Sequence, residues 1–220
     1  METKKSVNIF HLIILDESGS MSSIYNESLS AMNETITSIR NLQNTYPEQH
    51  HFVSIITFEG TGETAIKVRR DRVAIEKVEE FTEKDYCPGS YTPLYDAMGY
   101  SINHLDKNIS DKDAVMVTII TDGMENASQY YSGKQIKTLV SRQRKKGWTF
   151  AYIGANQDAI EVANEINISN AINFEATTEG IENMNIRLNS ARNRFADEIC
   201  KCECASISVE NLFDEENDEA

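Results

Sequence analysis

Two stretches of this chain, Val7–Leu15 (VNIFHLIIL) and Ala114–Thr121 (AVMVTIIT), are apolar almost throughout and rich in β-branched residues. Continuous rather than alternating hydrophobicity suits a strand covered on both faces, the situation of a parallel sheet wrapped by helices. Each run is followed directly by an acid, Asp16 after the first and Asp122 after the second. Further strands are expected at Phe52–Phe58, at Trp148–Ile153 and at Ala171–Phe174. Gly60 and Gly62 punctuate a turn into a sixth, Thr64–Val68, which reads as a hairpin partner at the sheet edge. Between the strands, Ser23–Asn44, Pro93–Leu105, Ser132–Lys146, Gln157–Ile166 and Thr178–Arg194 carry apolar residues at helical spacing. Strands alternating with amphipathic helices predict a doubly wound α/β fold: a mostly parallel six-stranded sheet, one antiparallel edge strand, helices on both faces.

The chain has 220 residues, of which 40% are hydrophobic, enough for one core and short for two. A single domain is expected over residues 1–198, with an acidic, disordered tail over 199–220. The tail contains the run Asp214–Glu219, and Ile207–Phe213 before it reads as a frayed helix or a short docking segment. Formal net charge is −14, and such a surface repels phosphate backbones and anionic lipid, arguing against nucleic-acid or membrane partners. Arg142, Arg144, Lys145 and Lys146 are read as cations at a helix C-terminus, capped by Gly147. The nine-residue apolar run near the N-terminus is followed by Asp16-Glu17 rather than a small-residue cleavage site. No stretch approaches the roughly 18 apolar residues that span a bilayer. A cytoplasmic protein is the expectation, with Cys87, Cys200, Cys202 and Cys204 reduced. The alternating cysteine trio lacks the spacing of a zinc site.

Three segments carry chemistry. Asp16-Glu17-Ser18-Gly19-Ser20 follows the first strand, where open α/β sheets bind ligands; one short loop there can aim a carboxylate and two hydroxyls at one point. Gly89-Ser90-Tyr91-Thr92-Pro93 adds a hydroxyl at Thr92. Thr121-Asp122-Gly123 adds a second carboxylate at a second strand end. Ser18, Ser20 and Thr92 also read as ordinary helix N-caps, Thr92 especially so because Pro93 suits the first helical position. If the two acid-terminated strands are neighbours, their carboxylates repel unless something positive lies between them. Carboxylate and hydroxyl oxygens without sulfur or imidazole suit Mg²⁺, Mn²⁺ or Ca²⁺.

In order and spacing, these segments resemble the metal-ion-dependent adhesion site of von Willebrand factor A-type domains, whose pattern is Asp-x-Ser-x-Ser, a threonine in a glycine-containing loop, and Asp-Gly after the fourth strand. The likeness covers roughly Val7 to Phe195 and implies a Rossmann-like fold. It implies that Ser18 and Ser20 ligate a cation directly, Thr92 directly or through water, and Asp16 and Asp122 through water. It further implies that an Asp or Glu carboxylate of a protein partner completes the coordination, with no catalysis. Glu17 falls at a variable position and receives no role. Tyr91 stands where the family has glycine, and either lines the site or packs beneath the loop.

Two other readings are kept. A Mg²⁺-dependent phosphotransferase of the haloacid dehalogenase type shares the α/β plan, with Asp122 and Glu125 as its distal metal acids. That chemistry wants an acid two positions after Asp16, where Ser18 stands. Alternatively, the domain is structural and has no metal-bridged partner. His11 lies inside a strand and reads as a satisfied core residue.

Overall fold

The computed structural model describes residues 6–155, 159–202 and 207–213. Six strands, β1 (Val7–Asp16), β2 (Gln49–Phe58), β3 (Ile66–Ala74), β4 (Ala114–Thr121), β5 (Thr149–Ala155) and β6 (Asn170–Phe174), form one sheet in the order β3-β2-β1-β4-β5-β6. All neighbours are parallel except β2 and β3. The helices are α1 (Tyr25–Thr45), α2 (Leu94–Asp106), α3 (Gly133–Lys145), α4 (Ala159–Glu165) and α5 (Thr178–Lys201). Of the segment expected to open α4, residues 157 and 158 lie outside the described residues, as does Cys204.

The apolar runs resolve into two alternating faces, because successive strand side chains point to opposite sides. Ile9, Ile13 and Leu15 of β1 pack with α1 and α5, while Phe10, Leu12 and Ile14 pack with α2, α3 and α4. The central strands β4 and β5 divide in the same way, through Met116 and Ile153 on one side and Val117 and Tyr152 on the other. Both faces are covered, so no polar alternation survives in the sequence.

Three features depart from the expected element limits. β3 runs over Ile66–Ala74 rather than 64–68 and carries Lys67, Arg69, Arg70 and Arg72. An edge strand leaves one side to solvent, and the half-buried charges there obscure its period. It is irregular against β2 around Ser54, whose hydroxyl accepts from the Arg72 N–H at 2.9 Å. Arg72 has φ +50°, a bulge conformation that leaves its amide off the ladder. α5 continues to Lys201, so the boundary placed at 198 falls inside this helix. Beyond it, Val209 and Leu212 are buried in the core. Their backbone is bracketed by Asn170, whose Nδ2 donates to the Val209 carbonyl (2.9 Å) while Oδ1 accepts from the Leu212 amide (3.0 Å). Residues 207–213 therefore pack as part of the fold; residues 214–220 of the expected tail lie outside the described residues. Gly147, with φ +93°, ends α3 in the left-handed conformation anticipated from its position.

On the α1/α5 side, His11 and His51 meet in a ring-nitrogen hydrogen bond of 2.9 Å between adjacent strands. Beside them lies the buried Arg192, which donates to Thr35 Oγ1 and Asn189 Oδ1, both neutral. Burial, then the neighbouring His51 and Arg192, hold His11 well below 6.5; burial lowers His51 to about 4, assisted by His50. A histidine depressed in the folded state stabilises fully above its unfolded pKa, near 6.5, and loses that contribution as pH falls through the folded value. Stability measured by urea unfolding should therefore decline from pH 6.5 to 4. In H11Q/H51Q the decline over that window should be shallower; an identical slope would show that the pair does not titrate on unfolding.

Candidate functional site

Parallel pairing of β1 with β4 runs through Leu15↔Ile120, which brings Asp16 and the residues after Thr121 to the same edge of the sheet. Asp16 is fully buried, and its Oδ1 accepts from the Ser18 amide at 2.7 Å. Its Oδ2 accepts from the Thr121 hydroxyl at 2.5 Å. Ser20 Oγ donates to Asp122 Oδ1 (2.6 Å) and lies 3.3 Å from Ser18 Oγ. Thr92 joins from the α2 side. A Cβ placed on Gly123 would come within 3.1 Å of Thr92 Oγ1 and 3.8 Å of Asp16 Oδ2, so the two oxygens flank that glycine. All five residues read as site candidates thus gather at one end of the sheet, on three separate loops.

Burial raises Asp16 from the ordinary carboxylate range to about 6, although hydrogen bonds from Thr121 and Ser18 pull the other way, and nearby Asp122 adds to the rise. Burial likewise raises Asp122, against the hydrogen bond from Ser20. The two acids are therefore costly to ionise together. The surrounding oxygens are all hard donors: two carboxylates and three hydroxyls. Among the described residues, no group of three or more His, Cys, Asp or Glu side chains is arranged to hold a metal ion.

The alternative of simple helix capping is removed by the way α2 begins. Its N-cap is Pro93, and no side chain caps it from that position. Instead the loop after β4 supplies the acceptors. Glu125 Oε2 accepts from the Tyr95 amide and Ser128 Oγ from the Asp96 amide. Asp96 answers by accepting from the amides of Gln129, Tyr130 and Tyr131 at 2.7–2.9 Å. Asn126 holds Thr92 by its backbone, with Oδ1 accepting from the Thr92 amide (2.9 Å) and its own amide donating to the Thr92 carbonyl (3.2 Å). The Thr92 hydroxyl is thereby left over for the site. Ser18 precedes a 3₁₀ turn and likewise makes no side-chain cap. Glu125, considered above as a distal metal acid, is occupied by four donors: the amides of Tyr95, Ala127 and Ser128, and the Ser128 hydroxyl.

Sequence reasoning overlooked Glu17. Its side chain is fully buried, paired with Lys67 Nζ at 3.2 Å and Arg69 Nη2 at 3.0 Å. It also gave no role to Thr121, Asn126 or Asp96. The contacts that tie them to the other loops reach 30 or more residues away, and no local spacing announces them. Tyr91 is 57% exposed, so its ring does not pack beneath the loop.

Fold and site together define an open, mostly parallel α/β domain with an oxygen-lined site at the tips of adjacent strands. The chain belongs to the von Willebrand factor type A domain family, whose model matches residues 12–187. Solved structures share the fold at low identity. The D319A mutant of the PilB minor pilin from Streptococcus sanguinis is 11% identical with a TM-score of 0.63, covering 91% of this chain and 64% of that one. The SpRpn10 VWA domain is 11% identical with a TM-score of 0.54, covering 81% and 94% respectively. A von Willebrand factor type A protein from Catenulispora acidiphila is 15% identical with a TM-score of 0.54, covering 84% and 43%. The chain thus spans slightly under two thirds of the minor pilin it matches. No curated protein matches it by sequence. No helix among the described residues is long and apolar enough to cross a membrane.

Asn126→Ala should loosen the threonine loop without touching a site oxygen. The one hydrogen bond lost, from the Thr92 amide to the Asn126 side chain, is worth about 1 kcal/mol and predicts exchange of the Thr92 amide accelerated by roughly fivefold. Unchanged protection would show that the Asn126 bracket does not hold the loop.

Proposed function

We propose that this domain is a metal-dependent protein-binding module of the adhesion type. One hard divalent cation, Mg²⁺ first and Mn²⁺ or Ca²⁺ as alternatives, would be held by Ser18, Ser20 and Thr92. Asp16 and Asp122 would balance its charge directly or through water. The observation that carries this reading is the gathering of two carboxylates and three hydroxyls from three loops, with both carboxylates raised by burial. Such a site is ill-suited to standing ionised by itself and well suited to a small dication, which takes oxygen ligands and tolerates retained water. Neutral hydroxyl ligands leave a bound cation electrophilic, so it would recruit an anionic ligand from outside.

This chain's own residues then have distinct tasks. Thr121 and the Ser18 amide orient Asp16 from opposite oxygens. Asn126 fixes the Thr92 backbone while leaving its hydroxyl available. Partner recognition would come from an Asp or Glu side chain on another protein.

The reading predicts that Mg²⁺ or Mn²⁺ at a hundredfold excess over Kd adds about 2.7 kcal/mol of stability, or roughly 5–10 °C in Tm for a domain of this size. Asp122→Ala should lose that increment while remaining folded. A partner retained by affinity capture in Mg²⁺ should be released by EDTA and absent with Asp122→Ala. No thermal response of the wild-type domain to any of the three cations would overturn the proposal.

A further inference from the structure

The residue between Asp16 and Ser18 is a fully buried carboxylate that faces away from the candidate cation site. Glu17 receives Lys67 Nζ (3.2 Å) and Arg69 Nη2 (3.0 Å), both from the edge strand β3. Its Oε1 also accepts from the Cys87 amide, and its carbonyl accepts from the Gly89 amide at 2.8 Å. Glu59, at the end of β2, repeats the arrangement. Its Oε1 pairs with Lys67 at 3.1 Å, and its Oε2 accepts from the Ser90 amide at 3.3 Å. Two carboxylates that share Lys67 therefore hold the Cys87 and Ser90 amides, and the Glu17 backbone holds Gly89 between them, along the segment leading into Thr92.

The approach is close enough to demand glycine at position 19, and at position 89 a side chain would push the Glu59 carboxylate off its place. A Cβ on Gly89 would lie 2.1 Å from Glu59 Oε2, and one on Gly19 would lie 2.7 Å from the Gly89 carbonyl. Further bonds join the same segments: Gly19 N–H to the Ser90 carbonyl (3.3 Å) and Gly60 N–H to the Tyr91 carbonyl (2.9 Å). Arg69 is itself fixed by Thr57 Oγ1 at 2.9 Å.

A buried ion pair is a poor source of net stability, because desolvation offsets the Coulomb attraction. Its fixed geometry is the more economical explanation. We propose that Glu17, set by Lys67 and Arg69, is a positioning residue for the threonine loop, tying residues 87–91 to the first loop so that Thr92 meets Ser18 and Ser20. This rests on the cation site proposed above. Because the two cations neutralise Glu17 and Glu59, Asp16 and Asp122 remain the acids that answer a dication.

Removing Glu17 alone would add positive charge near the site and weaken cation binding by repulsion. The test therefore uses charge-conserving pairs. E17A/R69A removes both the acceptor for the Cys87 amide and one cation; E17Q/R69Q removes the same charges but keeps an oxygen acceptor. Two readouts are taken: amide exchange over residues 87–91 in metal-free protein, and Mn²⁺ affinity by calorimetry. E17A/R69A should exchange faster over this segment and bind Mn²⁺ at least tenfold more weakly. E17Q/R69Q should stay within threefold of wild type. Glu59→Ala, at a half-buried position, should speed exchange at Ser90 even if E17A/R69A does not fold. Wild-type exchange in both E17A/R69A and Glu59→Ala, or wild-type Mn²⁺ affinity in E17A/R69A, would overturn the proposal. Should the wild type take up no Mn²⁺, the cation reading itself falls, and with it the purpose assigned to Glu17. The exchange data would then report only whether the brace exists.

Discussion

The parallel contact of β1 with β4 imposes the tension on which the rest of the site is built. Register through Leu15↔Ile120 ends two apolar strands together, and each is followed by an acid. Neighbouring strands run about 4.8 Å apart, so the fully buried Asp16 and the half-buried Asp122 come close together. Burial raises both carboxylates above their ordinary range. The protein answers with hydroxyls: Thr121 on Asp16 and Ser20 on Asp122. Every one of these groups is an oxygen donor, which gives a dication a chemical reason to bind there.

Around that centre, polar residues buy position rather than stability. Asp96 and Glu125 spend their carboxylates on backbone amides across the α2 entrance. Asn126 brackets the Thr92 backbone, its side-chain oxygen accepting from the Thr92 amide and its backbone N–H donating to the Thr92 carbonyl. Glu17 sits on β3 cations while accepting from the loop that leads to Thr92. Leaving any of these groups buried without its partner would cost about 1–3 kcal/mol, and more for a charge. The three loops therefore lock one another, and the threonine loop is the piece most dependent on the others. A second buried polar cluster, His11, His51 and Arg192, lies on the α1/α5 face.

Much of this was legible in the chain itself. The runs at Val7–Leu15 and Ala114–Thr121 announced covered parallel strands because no polar alternation interrupts them. The acids beyond them pointed to the edge of the sheet where the candidate site lies, and spacing with family resemblance singled out Asp16, Ser18, Ser20, Thr92 and Asp122, which the fold brings to that edge. Local spacing failed where the partner is distant. The Glu17 position looks like any polar turn residue until β3 delivers Lys67 and Arg69. Thr92 before Pro93 looks like an N-cap until Asn126 and Glu125 arrive from the loop after β4. β3 was cut short because the consecutive charges Arg69, Arg70, Asp71 and Arg72 leave this edge strand no apolar period to read. Residues 207–213 were assigned to a tail because their acceptors, Thr149 and Asn170, belong to strands far upstream.

The most direct measurement is anomalous diffraction from crystals of the wild-type domain grown with Mn²⁺. The account predicts one anomalous peak enclosed by the oxygens of Ser18, Ser20 and Thr92, with Asp16 and Asp122 in direct or water-bridged contact. A peak located elsewhere, or none between the tips of β1 and β4 at saturating Mn²⁺, would contradict it.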